Sequence, residues 1–122
     1  MAKTIMIVDD SASIRQVVGI ALKGAGYDVV EACDGKDALA KLTGQKINLI
    51  ISDVNMPNMD GITLVQEIKK LPAYKFTPIM MLTTEAADDN KQAGKAAGAK
   101  AWLTKPFQAP TLLDAVSKLV LP

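Results

Sequence analysis

Residues 47–61 read INLIISDVNMPNMDG. The first six, Ile47 to Ser52, are apolar almost throughout, as a strand buried on both faces requires. Asp53 follows, then a loop containing Pro57 and Gly61, and then Ile62, Val65, Ile68 and Leu71 recur at helical spacing until Pro72 stops them. A strand of this type, followed at once by an amphipathic helix, is one unit of a parallel sheet, because parallel neighbours need a crossover connection.

The same unit repeats on both sides. Thr4 to Val8 is an apolar, β-branched run ending at the helix-capping group Asp9-Asp10-Ser11. Ile14, Val17, Val18, Ala21, Leu22 and Ala25 then mark a helix closed by Gly26. Tyr27 to Ala32 is a second strand, and Ala38, Leu39 and Leu42 mark a short helix ending at Gly44. Thr77 to Leu82 is a fourth strand, and Lys100 to Leu103 a brief fifth. Between them, residues 86–98 form an alanine-rich helix with Gly94 inside it. An interior glycine costs about 1 kcal/mol relative to alanine, so this is expected to be the loosest helix. Leu112, Leu113, Val116, Leu119 and Val120 stripe the last one. Five such units predict an α/β, doubly wound parallel sheet with helices on both faces. Residues 1–122 form a single domain on this reading, with no linker or internal repeat.

Composition narrows the function. At 122 residues and 49% apolar content there is enough chain for one compact core. Lys and Arg number 14 against 13 Asp and Glu, a balance that gives no footprint for a nucleic acid or an anionic membrane. There is no histidine and one cysteine, Cys33, which excludes imidazole chemistry and an internal disulfide and fits a reducing compartment. The N-terminus is too quickly followed by acidic residues to read as a signal peptide, and no apolar run reaches membrane-spanning length. A cytoplasmic location is expected.

Doubly wound sheets bind ligands at the carboxyl ends of their strands. Asp9 and Asp10 follow the first strand, Asp53 the third, Thr83 and Thr84 the fourth, and Lys105 the fifth. In a sheet ordered 2-1-3-4-5 the first and third strands are neighbours, which brings three carboxylates into one crevice. Such a cluster needs a cation, and a hard divalent ion with oxygen ligands supplies it, with Lys105 as a mobile second charge. Taken singly, Asp9 and Asp10 read as a cap pair, Asp53 as a turn cap, Lys105 as a solvated lysine and Trp102 as core. The meaning lies in four segments delivering complementary groups to one edge.

The motifs IVDDS (7–11), SDVNMPNMDG (52–61), MLTTEA (81–86) and LTKPF (103–107) resemble those of the receiver domain of two-component response regulators, most closely the stand-alone CheY-like chemotaxis type. The resemblance runs from the first strand to the last helix. It implies a CheY-like, flavodoxin-like sheet, and the order 2-1-3-4-5 is the family's own rather than a consequence of the spacing. It implies that Asp53 is the phosphoacceptor, that Asp9, Asp10, Asp53 and the carbonyl of Asn55 hold Mg2+, and that Lys105, Thr83 and the backbone N–H of Thr84 contact the phosphoryl group. Thr83, Glu85 and Trp102 are then the switch and output residues, Trp102 standing where Tyr or Phe is more usual. Asn55 and Glu85 sit where relatives set the phosphoryl lifetime.

The expected partners are a histidine kinase as donor, a downstream target such as a flagellar motor switch component, and a phosphatase. On the same resemblance the protein is no enzyme on another substrate, since it catalyses only its own phosphorylation and dephosphorylation, and no output domain follows Pro122. The alternative within the same chemistry is a phosphate sink or shuttle with no motor target. A phosphatase of the haloacid dehalogenase type needs an acid two positions after its nucleophile, where Asn55 stands. A flavodoxin-like carrier would find Asp9 and Asp10 repelling its flavin phosphate.

Overall fold

A computed structural model describes residues 3–54, 59–83, 99–104 and 108–120, with Thr83 and Thr104 described by their backbone. The strands are β1 (Thr4–Val8), β2 (Asp28–Ala32), β3 (Leu49–Asp53), β4 (Ile79–Thr83) and β5 (Ala101–Thr104). The described helices are α1 (Ala12–Gly24), α2 (Gly35–Lys41), α3 (Gly61–Lys69) and α4 (Ala109–Leu119). The helix expected over 86–98 lies outside the described residues. All pairings are parallel and the order is β2-β1-β3-β4-β5, the doubly wound sheet that the motifs imply.

The apolar runs are unbroken because each inner strand feeds two cores. From β1, Met6 and Val8 enter one cluster and Ile5 and Ile7 the other. From β3, Ile50 faces the first while Leu49 and Ile51 face the second. The first core is closed by Ala38 of α2 and by Leu64, Val65 and Ile68 of α3. Val18 and Leu22 of α1 close the second with Leu112 and Val116 of α4. Burying each such side chain contributes on the order of 1.5–3 kcal/mol, so this two-sided packing holds the strand ends in fixed register.

The element boundaries differ from the expected ones for local reasons. Gly26, at φ 96°, ends α1: its N–H bonds the Lys23 carbonyl at 3.0 Å, and the Tyr27 N–H bonds Leu22 at 3.0 Å. Tyr27 thus belongs to the helix stop rather than to β2. Asn48 precedes β3 because both its backbone and its side chain bind Thr4: Asn48 N to Thr4 O at 2.8 Å, Thr4 N to Asn48 Oδ1 at 2.9 Å. Pro78 has no N–H to give the ladder, so β4 begins one residue later. Val17, expected on the buried stripe of α1, is 59% exposed. It sits about 100° round the helix from Val18, beyond the rim of the Val18–Leu22 face. No described helix is long and apolar enough to cross a membrane.

Candidate functional site

The central strands β1 and β3 pair in register, Val8 opposite Ser52, so the residues that follow each emerge side by side. Asp9, Asp10 and Asp53 each bring a carboxylate oxygen within 4.8 Å of the others, the group among the described residues suited to hold a metal ion. Asp9 and Asp53 are buried, at 1% and 7% exposure, and Asp10 is exposed. The cluster therefore has a dry floor and a wet mouth. Full charges this close repel by roughly 3 kcal/mol per pair at an effective dielectric of about 20, which makes the crevice a place for cations. The donors are all hard carboxylate oxygens, with neither imidazole nor thiolate among them, a set suited to Mg2+ or Ca2+ and poorly suited to zinc.

Local bonds fix the Asp9 carboxylate and the backbone around Asp53. Asp9 Oδ1 accepts the Ser11 N–H at 2.9 Å, and the Asp9 N–H donates to Ala32 of β2 at 3.1 Å. Ser11 is the N-cap of α1, its hydroxyl accepting from Ile14 N at 3.3 Å. Asp9 is thus tied to both neighbouring elements. Asp53 closes β3, opposite Leu82 of β4. The Val54 N–H continues that ladder to Leu82 O at 3.0 Å, and Gly61 N bonds Val54 O at 2.8 Å. Asp60 caps α3 through the Thr63 N–H at 2.7 Å.

Two contributors were not recognised in the sequence. Gly61 lies so close to the acceptor strand that a Cβ there would stand 2.1 Å from the Asp53 carbonyl oxygen and 2.6 Å from Met81 Cε. Only glycine lets α3 start against the back of Asp53. The Asp-Gly pair at 60–61 was visible, but it reads equally as an ordinary turn. Arg15 donates from Nη1 to the Asp9 carbonyl at 2.5 Å, and its Nε lies 3.4 Å from Glu31 Oε1. It ties the floor of the crevice to β2. A contact between α1 and the strand before it leaves no spacing signal.

Trp102 sits in β5 opposite Met81 and packs, partly buried, against the α2–α3 side core. Its indole Nε1 is buried and has no hydrogen-bond partner among the described residues, which costs about 1–3 kcal/mol relative to a satisfied N–H. Thr83 ends β4, one residue beyond the partner of Asp53, and pairs with Thr104. Asn55, Thr84, Glu85 and Lys105, together with the Thr83 side chain, lie outside the described residues.

The family model for the response regulator receiver domain matches residues 5–117. The chain belongs to this family. It is 40% identical over 112 residues to protein PilG of Pseudomonas aeruginosa, covering 92% of this chain and 83% of that protein. It is 38% identical over 116 residues to a gliding motility regulatory protein of Myxococcus xanthus, covering 94% of this chain but only 15% of that much longer protein. Among solved structures, chemotaxis protein CheY4 of Vibrio cholerae superposes with a TM-score of 0.95 at 48% identity, covering 98% of this chain and all of that one. Receiver domains are signalling proteins that take a phosphoryl group from histidine kinases and act on downstream targets, and they bind Mg2+ at an acidic pocket. The carboxylates of this receiver stand at the place in the fold where such a pocket belongs.

Proposed function

We propose that the chain works as a single cytoplasmic receiver domain that accepts a phosphoryl group on Asp53 and relays it as a conformational signal in chemotaxis or motility control. The observation that carries this reading is the convergence of Asp9, Asp10 and Asp53 within 4.8 Å at the mouth of two adjacent strands.

The chemistry follows from placement. A carboxylate oxygen of Asp53 forms a bond to phosphorus while the P–N bond of a phosphohistidine donor breaks, its electron pair leaving on the donor nitrogen. No general base is needed, because the nucleophile is already ionised; positioning and charge stabilisation supply the rate. Asp9, Asp10, Asp53 and the Asn55 carbonyl would hold Mg2+, which offsets the charge on the phosphoryl oxygens. Gly61 and the β4 ladder keep the Asp53 backbone still, and Arg15 does the same for Asp9. Lys105, Thr83 and Thr84 are assigned to the phosphoryl oxygens, with Glu85 and Asn55 setting access of water to the product.

Trp102 is the proposed reporter of the switch. An indole N–H buried without a partner among the described residues leaves the ring in a packing with a penalty, so a modest bias from the phosphorylated site can shift it to another. Treatment with acetyl phosphate and Mg2+ is expected to add one phosphoryl group to the wild type and to change Trp102 fluorescence. Asp53→Asn should keep the fold and show neither effect. Undiminished labelling of Asp53→Asn would refute the acceptor assignment, and a silent Trp102 at full labelling would refute its part in the switch. A pull-down of flagellar motor switch proteins that succeeds only after phosphorylation would support the motor target against a phosphate sink.

A further inference from the structure

The opposite edge of the sheet, where the strands begin, has a groove of its own. It measures about 330 Å3 and lies between the segment leading into β3 and the one leading into β4. Ile47 and Ala73 give it an apolar lining, and Lys46 and Phe76 stand on its lips. Phe76 is 79% exposed, the most exposed large apolar side chain among the described residues. The Lys75 ammonium lies 5.0 Å from the centre of its ring, within cation–π range.

The groove is held open from beneath. The buried Tyr74 hydroxyl donates to Gln45 O at 2.7 Å and accepts from Gly44 N at 2.9 Å, which pins one wall to the other. The Lys69 ammonium donates to the carbonyls of Lys75 at 3.1 Å and Thr77 at 2.9 Å, which fixes the Phe76 segment. A concavity fixed by the buried Tyr74 and the half-buried Lys69 needs little ordering when something binds, and the conformational cost of association falls accordingly.

Its surroundings are basic. Lys46, Lys70, Lys75 and Lys100 are exposed on this edge, and Lys100 immediately precedes β5, the strand beside β4. Lys69 is held below the ordinary lysine range, first by burial and then by the charge of Lys100, so the cations here are crowded enough to feel one another. The last-turn lysines of α2 and α4 are paired with Asp37 and Asp114, and Lys70 with Glu67, so the positive charge at the groove rests on Lys46 and Lys75, whose own segments, 42–48 and 72–78, carry no acidic residue. A bare apolar notch rimmed by ammonium groups complements a carboxylate-rich chain carrying one large apolar side chain.

We infer that this groove is a docking site for an acidic peptide segment of a protein partner, with one aliphatic or aromatic residue of that segment seated beside Phe76 and its carboxylates on Lys46 and Lys75. The strands put five residues between this edge and the acidic crevice, roughly 16 Å at about 3.3 Å per residue. A partner held here leaves Asp53 open to its phosphodonor.

The test is fluorescence anisotropy with a labelled probe peptide of six aspartates and glutamates around a central Leu-Phe pair. Controls are the same anchor flanked by lysines and the same acids flanking two serines. Saturable binding of the acidic, anchored probe is expected at low ionic strength, weakening with salt. Phe76→Ala and Lys75→Glu, both surface changes whose folding circular dichroism can confirm, should each weaken it by about tenfold, the effect of losing an anchor or reversing a rim charge. Asp53→Asn should bind as the wild type does, which keeps this result separate from the phosphoacceptor assignment. Equal binding of all three peptides, indifference to Phe76→Ala, or sedimentation with phosphatidylglycerol vesicles in the absence of any peptide binding would each overturn the proposal.

Discussion

At the carboxyl end of the strands Asp9, Asp10 and Asp53 crowd within 4.8 Å, while Lys3, Lys46, Lys75 and Lys100 lie in the segments that lead into β1, β3, β4 and β5 at the other end. The formal net charge of +1 conceals this division. A net charge is a sum, whereas the field that a partner meets depends on where the charges sit. The parallel fold gathers the lysines before β1, β3, β4 and β5 at one end and the aspartates of β1 and β3 at the other, although β2 opens on Asp28 and Lys105 follows β5. On the two proposals above, one end gathers cations and phosphoryl groups and the other gathers carboxylates.

Charge substitutions at the two poles should separate their roles. The largest expected effect is at Asp53: Asp53→Asn abolishes labelling by acetyl phosphate, whereas Lys75→Glu leaves its rate and extent unchanged. Loss of labelling in Lys75→Glu would break the independence of the poles. Next is Gly61→Ala, in which a new methyl group would collide with the Asp53 carbonyl. Overpacking of this kind costs about 1–3 kcal/mol, read as a lower midpoint in urea unfolding, together with slower labelling. A variant as stable and as fast as the wild type would show that α3 does not position Asp53.

Arg15→Gln removes the tie between the Asp9 carbonyl and Glu31. Mg2+ affinity, followed through Trp102 fluorescence, should fall by roughly tenfold, the lower range for outer partners of metal ligands, with little change in urea midpoint. The smallest effect concerns Asp37. The backbone N–H of Cys33, and after it Lys41, hold its carboxyl below the ordinary aspartate value of 3.8. The folded protein therefore binds fewer protons there than the unfolded chain, and the stability this gives is present above 3.8 and lost as pH falls through the folded value. Asp37→Asn should cost no more than about 0.5 kcal/mol at pH 7, a difference that shrinks as pH falls below 3.8.

Much of this was legible in the chain itself. The apolar runs located every strand to within two residues, because strands buried on both faces admit few polar side chains. The site motifs followed the strands in the order that the sheet requires. Hidden from it were properties that arise only in three dimensions. Val17 follows the helical spacing yet faces solvent, since the core under α1 is narrower than its apolar stripe. Gly61 and Arg15 act through contacts whose sequence separation carries no pattern. Lys69 belongs to no motif in the sequence yet serves as the brace for the Lys75–Thr77 turn, and the lysines at the strand starts vanished in a balanced total.

The central claim is that Asp53 carries a covalent mark whose formation depends on the cation its neighbours gather. Intact-mass measurement of the wild type after acetyl phosphate treatment, with Mg2+ and with a chelator, tests it directly when borohydride trapping then maps the modified residue. The account predicts one phosphoryl group with Mg2+, none with the chelator, and the trapped label at position 53. Equal labelling in both conditions, or a label mapped to any other residue, would contradict it.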